Sequence, residues 1–290
     1  MTEGGTNLNN NNQITFTITY PGSSASLAVA PNAVTGISYD EGAGPSEPKS
    51  IAVIGAELEN DVTITAPADF EVCATADGTF ANTLTLTQSE LLTANVFVRF
   101  KSGLGQGFYD ETLTVSTGGI TSNVSLKGEV YPVLTSGWNW WAPTKPMTIA
   151  ELETALGTAG VLINSQNDGF ARYENGIWTG SLNNIVPGKM YRIQTTAPVS
   201  LEAAGAYVAT ASVIIAPGYT WFGYTGTQPI SIVDALIGFT PTPGDKINSQ
   251  NEGFAIYENG QWTGRLTTLQ PGHGYVYMSN ASQSQTLIFH

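Results

Sequence analysis

The amino-acid sequence predicts a mainly β protein: a two-sheet sandwich followed by two homologous β-rich repeats, each with one short helix. Three observations lead to this prediction. Short segments of alternating apolar and polar residues recur along the first 130 or so positions, and a long segment of the second half occurs twice. Only 11% of the residues are charged, so polar strand faces and turns must be supplied by Thr, Ser, Asn, Gln and Gly.

The N-terminal part carries the alternation. Ile14–Tyr20 places apolar residues on one face and threonines on the other, which is the period of a half-buried strand. Gly, Pro, Asn and Asp separate similar runs, and about seven short strands at this spacing favour a two-sheet sandwich. The further runs are 50–58, 61–66, 82–87, 95–100, 111–116 and 122–130.

This part also resembles a known class of module. It is similar to the immunoglobulin-like domains of secreted and surface proteins of Bacteroidetes-type bacteria, over about residues 14–131. The resemblance implies an immunoglobulin-like β-sandwich in a spacer or adhesion context, and it implies no chemistry. The segments that carry it are Tyr39–Ser46, Ile54–Leu58, Ile64–Val72, Val98–Leu104, Gly107–Tyr109 and Val124–Val130.

An internal duplication dominates the second half. Ile163–Leu182 recurs as Ile247–Leu266 with only four differences, at a period of about eighty residues, which suits a small tandem domain. Thr148 and Glu151 form a capping-box pattern that predicts a short helix. The duplicated units resemble uncharacterised tandem repeats of bacterial secreted proteins that begin Gly-Trp-Asn-Trp, as Gly137–Trp140 does; no activity follows from that likeness.

Four segments follow from these patterns. Residues 1–13 are predicted to be a disordered tether, 14–131 the sandwich, 132–204 the first repeat and 205–290 the second.

The repeats contain a strong hairpin signal. Asn175-Gly176 and Asn259-Gly260 suit the positive φ angles of a type I′ turn, which would set Tyr173 opposite Trp178. The differences between the copies fall mainly on the other hairpin face. The Tyr/Trp face then either packs on the repeat's own core or forms a stacking platform for a sugar ring, and residue type alone leaves both open.

The polar tetrads Asn164–Asn167 and Asn248–Asn251 are unchanged between the copies. Such side chains bond backbone groups in turns, which is the favoured interpretation, and a polar ligand site is the alternative. No alternating Asp/Asn loop with a closing Glu is present, so we expect no metal site.

Charge restricts the partners. The formal net charge of −13 argues against nucleic acid and anionic lipid. No apolar run reaches the length of a membrane helix, and we expect any signal or anchor to lie upstream of Met1. The single cysteine, Cys73, is expected in the core.

Catalytic residues are scarce. The histidines are His273 and His290, and no nucleophile elbow, metalloprotease or phosphate-loop motif occurs. We therefore expect a protein that is not an enzyme and uses no cofactor, although carboxylates from distant positions leave a glycosidase open.

The functional expectation is a secreted or cell-surface module for adhesion, or for binding a glycan or a surface protein. A purely structural spacer and an ancillary region of a larger secreted hydrolase are the alternatives. Trp140 and Trp221 match between the copies and are expected in the core. The aromatic residues that change between copies are expected on a stacking surface. The candidate ligand-binding residues are Trp138, Trp141, Tyr219 and Phe222, with Trp178 and Trp262 on the hairpins.

Overall fold

The computed structural model describes residues 24–87, 94–203, 205–208 and 211–289. The predicted tether 1–13 and the predicted strand Ile14–Tyr20 lie outside these residues. Within them the chain is mainly β, as predicted. Buried side chains form three hydrophobic clusters, one within residues 34–130, one within 134–201 and one within 213–289.

The first cluster fills a two-sheet sandwich. One sheet has the order β1-β3-β7-β5 and the other the order β2-β9-β8-β4-β6; β2 joins β9 in parallel, and the other pairings here are antiparallel. Cys73 is buried, as predicted. The strands are β1 (Ser26–Ala30), β2 (Ala33–Asp40), β3 (Lys49–Ala56), β4 (Val62–Thr65), β5 (Phe70–Cys73), β6 (Thr83–Leu86), β7 (Ala94–Phe100), β8 (Gly107–Thr117) and β9 (Ile120–Tyr131).

The second cluster lies under a five-stranded antiparallel sheet of order β11-β17-β13-β14-β15, with the small pairs β10–β18 and β12–β16 beside it. A 3₁₀ turn, Gly157–Ala159, extends the helix. The elements are β10 (Val133–Leu134), β11 (Gly137–Trp141), β12 (Met147–Thr148), α1 (Ile149–Leu156), β13 (Gly160–Ser165), β14 (Phe170–Glu174), β15 (Ile177–Gly180), β16 (Asn184–Ile185), β17 (Tyr191–Thr195) and β18 (Val199–Ser200).

The third cluster repeats this arrangement. Its sheet has the order β20-β26-β22-β23-β24, with the pairs β19–β27 and β21–β25, so the duplication seen in the sequence is also a duplication of topology. The elements are β19 (Ser212–Ile215), β20 (Gly218–Gly223), β21 (Ile230–Ser231), α2 (Ile232–Ala235), β22 (Lys246–Ser249), β23 (Phe254–Glu258), β24 (Gln261–Gly264), β25 (Thr268–Leu269), β26 (Gly274–Ser279) and β27 (Gln285–Ile288).

Local sequence explains the helix start. The Thr148 hydroxyl accepts a hydrogen bond from the Glu151 amide, and the Glu151 carboxylate accepts one from the Thr148 amide, which is the predicted capping box. Leu152 and Leu156 are buried below α1. In the second repeat the Ser231 hydroxyl caps α2 through the Asp234 amide.

The hairpin prediction is confirmed in both repeats. The φ angles are 54° at Asn175 and 85° at Gly176, and 54° at Asn259 and 81° at Gly260. The two-residue turn sets the pairing of β14 with β15, so that Tyr173 lies opposite Trp178 as expected.

A buried ion pair joins the sandwich to the first repeat. The Lys145 ammonium is 2.5 Å from the Glu129 carboxylate and also donates to the Ala203 carbonyl. The Tyr207 hydroxyl donates to the same carboxylate, and burial raises the pKa of Tyr207 above its ordinary value. The side chain of Gln228 in the second repeat donates to the Phe108 carbonyl of the sandwich. Polar contacts thus link the sandwich to both repeats.

None of the helices that the structure describes has the length and apolar character needed to cross a membrane.

Candidate functional site

The two repeats meet along a seam at the outer edges of β11 and β20. The Gln166 amide donates to the Tyr219 carbonyl at 2.8 Å and accepts from the Trp221 amide at 2.7 Å, so it bonds the free edge of β20 as a neighbouring strand would. Gln250 makes the same two bonds to the edge of β11, at Trp138 and Trp140. One residue of each unchanged tetrad therefore holds the other repeat.

Backbone contacts across the seam are reciprocal as well. Trp141 pairs with His273, and Lys189 pairs with Phe222. The Ala142 amide donates to the Gly272 carbonyl, just as the Gly223 amide donates to the Gly188 carbonyl. Contacts of this kind, in which the same patch is used twice, define an isologous interface, here between two repeats of one chain.

The seam also accounts for the presence of Pro187-Gly188 and Pro271-Gly272 at matching positions of the two repeats. Gly223 packs so tightly that a Cβ there would lie 2.1 Å from the Ala142 side chain. Gly188 and Gly272 have φ angles of 87° and 71°, which favour glycine. These matching motifs shape the inter-repeat contact.

The tetrad prediction is confirmed in part. Ser165 caps the following turn: its hydroxyl accepts from the Asp168 amide and donates to the Asp168 carboxylate. Ser249 repeats the motif with Glu252. Local turn bonding is thus the role of the serines, whereas the glutamines bond across the seam, which the sequence pattern did not indicate.

Two clefts flank the seam at equivalent positions. One, of about 300 Å³, lies between the Ser165–Asp168 turn, Lys189 and Trp221, and it opens beside the exposed Ile214. Its counterpart, of about 230 Å³, lies between the Ser249–Asn251 turn, His273 and Trp140. Glu41 and Gln106 of the sandwich line only the second cleft, so the sandwich contributes to one of two equivalent clefts.

Charges differ between the clefts. In the first, the Lys189 ammonium lies 2.7 Å from the Asp168 carboxylate, and hydrogen bonds from Lys189 and Ser165 hold the pKa of Asp168 below its ordinary value. In the second, burial lowers the pKa of His273, and Glu41 of the sandwich lines the same cleft. The first cleft therefore contains an ion pair, whereas the second contains a partly buried histidine and a carboxylate of the sandwich.

For two of the six candidate binding residues, the predicted surface position is wrong. Trp141 is 5% exposed and Phe222 is fully buried, and each belongs to the core of its repeat. Trp141 packs near Tyr191, whereas Phe222 stacks on Tyr275 and on Phe289. Both rings pack on the equivalent tyrosine of their own repeat, and Phe222 has Phe289 as an additional partner, so neither ring forms a stacking surface.

The expectation that Trp140 and Trp221 are core residues is also wrong. Side chains alternate along a strand, so a buried Trp141 turns Trp140 to the opposite face. Both Trp140 and Trp221 are half-buried and lie outside the hydrophobic clusters. Two adjacent tryptophans in one strand must face opposite ways, and only packing decides which one is inside.

The other four candidates lie at partly or fully exposed positions. Tyr219 is 63% exposed and Trp138 is half-buried, with the Arg192 guanidinium 5.1 Å from the Trp138 ring. Trp178 and Trp262 are half-buried and pack on the edges of the two cores. The hairpin tryptophans therefore serve mainly the core.

The outward face of the first repeat sheet carries a row of directly opposed residues. Trp140 lies opposite Arg192, Arg192 opposite Asn164, and Asn164 opposite Phe170. All four side chains are at least partly exposed, and Phe170 is 45% exposed. The row crosses three strand spacings, about 14 Å. We call Trp140, Asn164 and Phe170 the first outer row.

The second repeat carries the same row. Trp221 lies opposite Val276, Val276 opposite Asn248, and Asn248 opposite Phe254, which is again 45% exposed. We call Trp221, Asn248 and Phe254 the second outer row. The position between Trp and Asn is the one that differs, being Arg192 in one repeat and Val276 in the other.

Among the described residues, no group of three or more His, Cys, Asp or Glu side chains is placed to hold a metal ion. A carboxyl pair occurs in the sandwich, where burial and a hydrogen bond with Asp69 raise the pKa of Glu111 to about 7. Neither member of the pair lines either seam cleft.

Comparisons with solved structures give distant likenesses. No family model matches the chain, and a search of curated proteins finds no match. A protein of unknown function from Porphyromonas gingivalis is 9% identical, with a TM-score of 0.26 over 87% of this chain and 83% of that one. The Bacillus anthracis TIE protein is 10% identical, with a TM-score of 0.27; the match covers 94% of this chain but 56% of that protein.

Proposed function

We propose that this chain is a non-catalytic module of a secreted or cell-surface protein, and that its repeats bind glycan through the two outer rows. One observation carries the proposal. Both repeats keep Trp, Asn and Phe at the same outward positions. Phe170 and Phe254 are each 45% exposed, so packing in the core does not account for them. An aromatic ring can stack on a sugar, and a neighbouring amide can bond its hydroxyls.

Other outward positions on the same hairpins support this interpretation. Arg172 and Ile177 are exposed, and they are replaced by Ile256 and Gln261 in the second repeat. All four differences between the copies fall at positions that are exposed in the first repeat, so exposed positions of this segment can change. Phe170 and its counterpart Phe254 are among the exposed residues that are unchanged, as a shared binding role would require.

A purely structural spacer is the second candidate. The buried Lys145–Glu129 pair and the contact of Gln228 with the sandwich favour it, since they hold the three regions in one arrangement. The two candidates differ in what happens when an outer row is altered, because a spacer does not use that surface.

The test is a panel of soluble neutral polysaccharides (laminarin, mannan, galactomannan and xyloglucan) probed with the wild type and the Phe170→Ala/Phe254→Ala double variant. Ile177→Ala is the matched control, because Ile177 is exposed on the same hairpin and is not repeated. We expect a member of the panel to bind, the control to bind equally, and the double variant to lose at least tenfold in affinity. Absence of binding across the panel, or equal binding by the double variant, would favour the spacer.

A further inference from the structure

The seam fixes the two outer rows relative to one another. Gln166 and Gln250 each make two bonds to the edge strand of the opposite repeat, and backbone pairs reinforce them on both sides. The rows also adjoin, because the Arg192 guanidinium beside Trp140 in the first sheet lies 5.7 Å from the Trp221 ring of the second. Two like surfaces are therefore held side by side by contacts across the seam.

Two like surfaces in fixed geometry favour a ligand that is itself repetitive. When one unit of a linear polymer binds the first row, the next units are held near the second, and the second binding step becomes intramolecular. A compact ligand gains nothing from this arrangement, since it occupies one row at a time.

Charge restricts the polymer. The chain has 23 acidic and 10 basic residues, which disfavours an anionic polymer such as a nucleic acid or a polyuronate. Near the rows, Arg172 pairs with Glu174, and the Lys246 ammonium lies 4.5 Å from the Phe254 ring. Arg192, between Trp140 and Asn164, lies near the Trp138 and Trp221 rings and has an Nε without a hydrogen-bond partner among the described residues. One such arginine does not offset the acidic balance of the chain, which still disfavours an anionic polymer.

We infer that the tandem repeats form one bivalent site, in which a single uncharged linear polysaccharide crosses the seam and occupies both outer rows. This inference rests on the proposed function and adds to it the class of ligand and the cooperation of the two repeats. The seam glutamines act as positioning residues, because they bond backbone and leave the row side chains to the ligand.

The experiment compares a short oligosaccharide with the polymer from which it derives, using the panel member bound by the wild-type chain. Calorimetry with the oligosaccharide should give two sites per wild-type chain and one site in Phe170→Ala or Phe254→Ala. Affinity for the immobilised polymer should fall at least tenfold in either single variant, and Ile177→Ala should leave both readouts unchanged. Phe170→Tyr, which keeps a ring, should restore the second site if the Phe170→Ala fold is intact by circular dichroism.

The outcomes separate the two proposals. One oligosaccharide site per wild-type chain, or single variants that hold the polymer as tightly as the wild type while the double variant does not, would overturn bivalency and leave glycan binding standing. A wild type that binds no polysaccharide of the panel would overturn both.

Discussion

The ionisation of individual side chains in this molecule depends on their surroundings as well as on residue type. Glu111 lies in β8 of the sandwich, and one of its carboxylate oxygens is buried with no hydrogen-bond partner. Burial first, and the neighbouring Asp69 second, raise the pKa of Glu111 to about 7. A carboxylic acid that resists ionisation in the fold makes stability depend on pH in an unusual direction.

The sign follows from proton linkage. Between the unfolded pKa near 4.5 and the folded value near 7, the folded chain keeps a proton that the unfolded chain has released, so stability falls as pH rises through this window. We expect Glu111→Gln, which mimics the protonated acid, to remove part of this fall. The check is the melting temperature at pH 5.0 and pH 7.5: the difference between the two should be smaller in the variant.

His273 and Glu252 also have shifted pKa values, and their effects remain in both proteins, so the comparison isolates Glu111. The same difference in melting temperature for wild type and variant would show that Glu111 ionises in the fold at no cost.

At the scale of elements, the β14–β15 hairpin is the part of the repeat most fully encoded by its own sequence. Its turn residues have positive φ, its Tyr173 and Trp178 rings lie 5.4 Å apart, and the second hairpin reproduces both features. Gly180 lets the backbone of β15 approach β14 closely, because a Cβ there would lie 2.0 Å from the Phe170 carbonyl oxygen.

We predict that Gly176→Val destabilises the fold by at least about 1 kcal/mol, because a β-branched residue is strained at a φ of 85°. No atom lies within 4 Å of the added Cβ, so the effect is one of backbone conformation and not of collision. Urea denaturation measures it. Gly260→Val should behave alike, and Ile177→Val, one residue away at an exposed strand position, should have little effect. Unchanged stability in both glycine variants would argue against the turn type.

For the whole molecule, the decisive contacts join regions that are far apart in sequence. Lys145 is 6% exposed. Its ammonium group donates hydrogen bonds to the carboxylate of Glu129, 16 positions away, and to the carbonyl of Ala203. A buried ion pair is costly to break, because the remaining charge is left without a partner.

We predict that Lys145→Met destabilises the chain by about 3 kcal/mol, since it leaves the Glu129 carboxylate buried beside Tyr207. The double variant Lys145→Met/Glu129→Leu should recover most of that loss, because no unpaired charge remains. The stability of both variants is measured by urea denaturation followed by tryptophan fluorescence. Equal destabilisation by the single and double variants would mean that the pair is not what couples sandwich and repeat.

The sequence by itself determined the mainly β character, the duplication, the capping box of α1 and the two Asn-Gly turns. These features depend on periodicity and on local backbone preference, which neighbouring residues encode. Tertiary structure alone decided which tryptophan of the Trp140-Trp141 pair is buried, because alternation assigns two faces without saying which one meets the core. It also decided that Gln166 and Gln250 bond the opposite repeat and that Phe170 and Phe254 remain exposed. Those outcomes depend on how two sheets dock, and the docking is set by contacts between residues more than fifty positions apart.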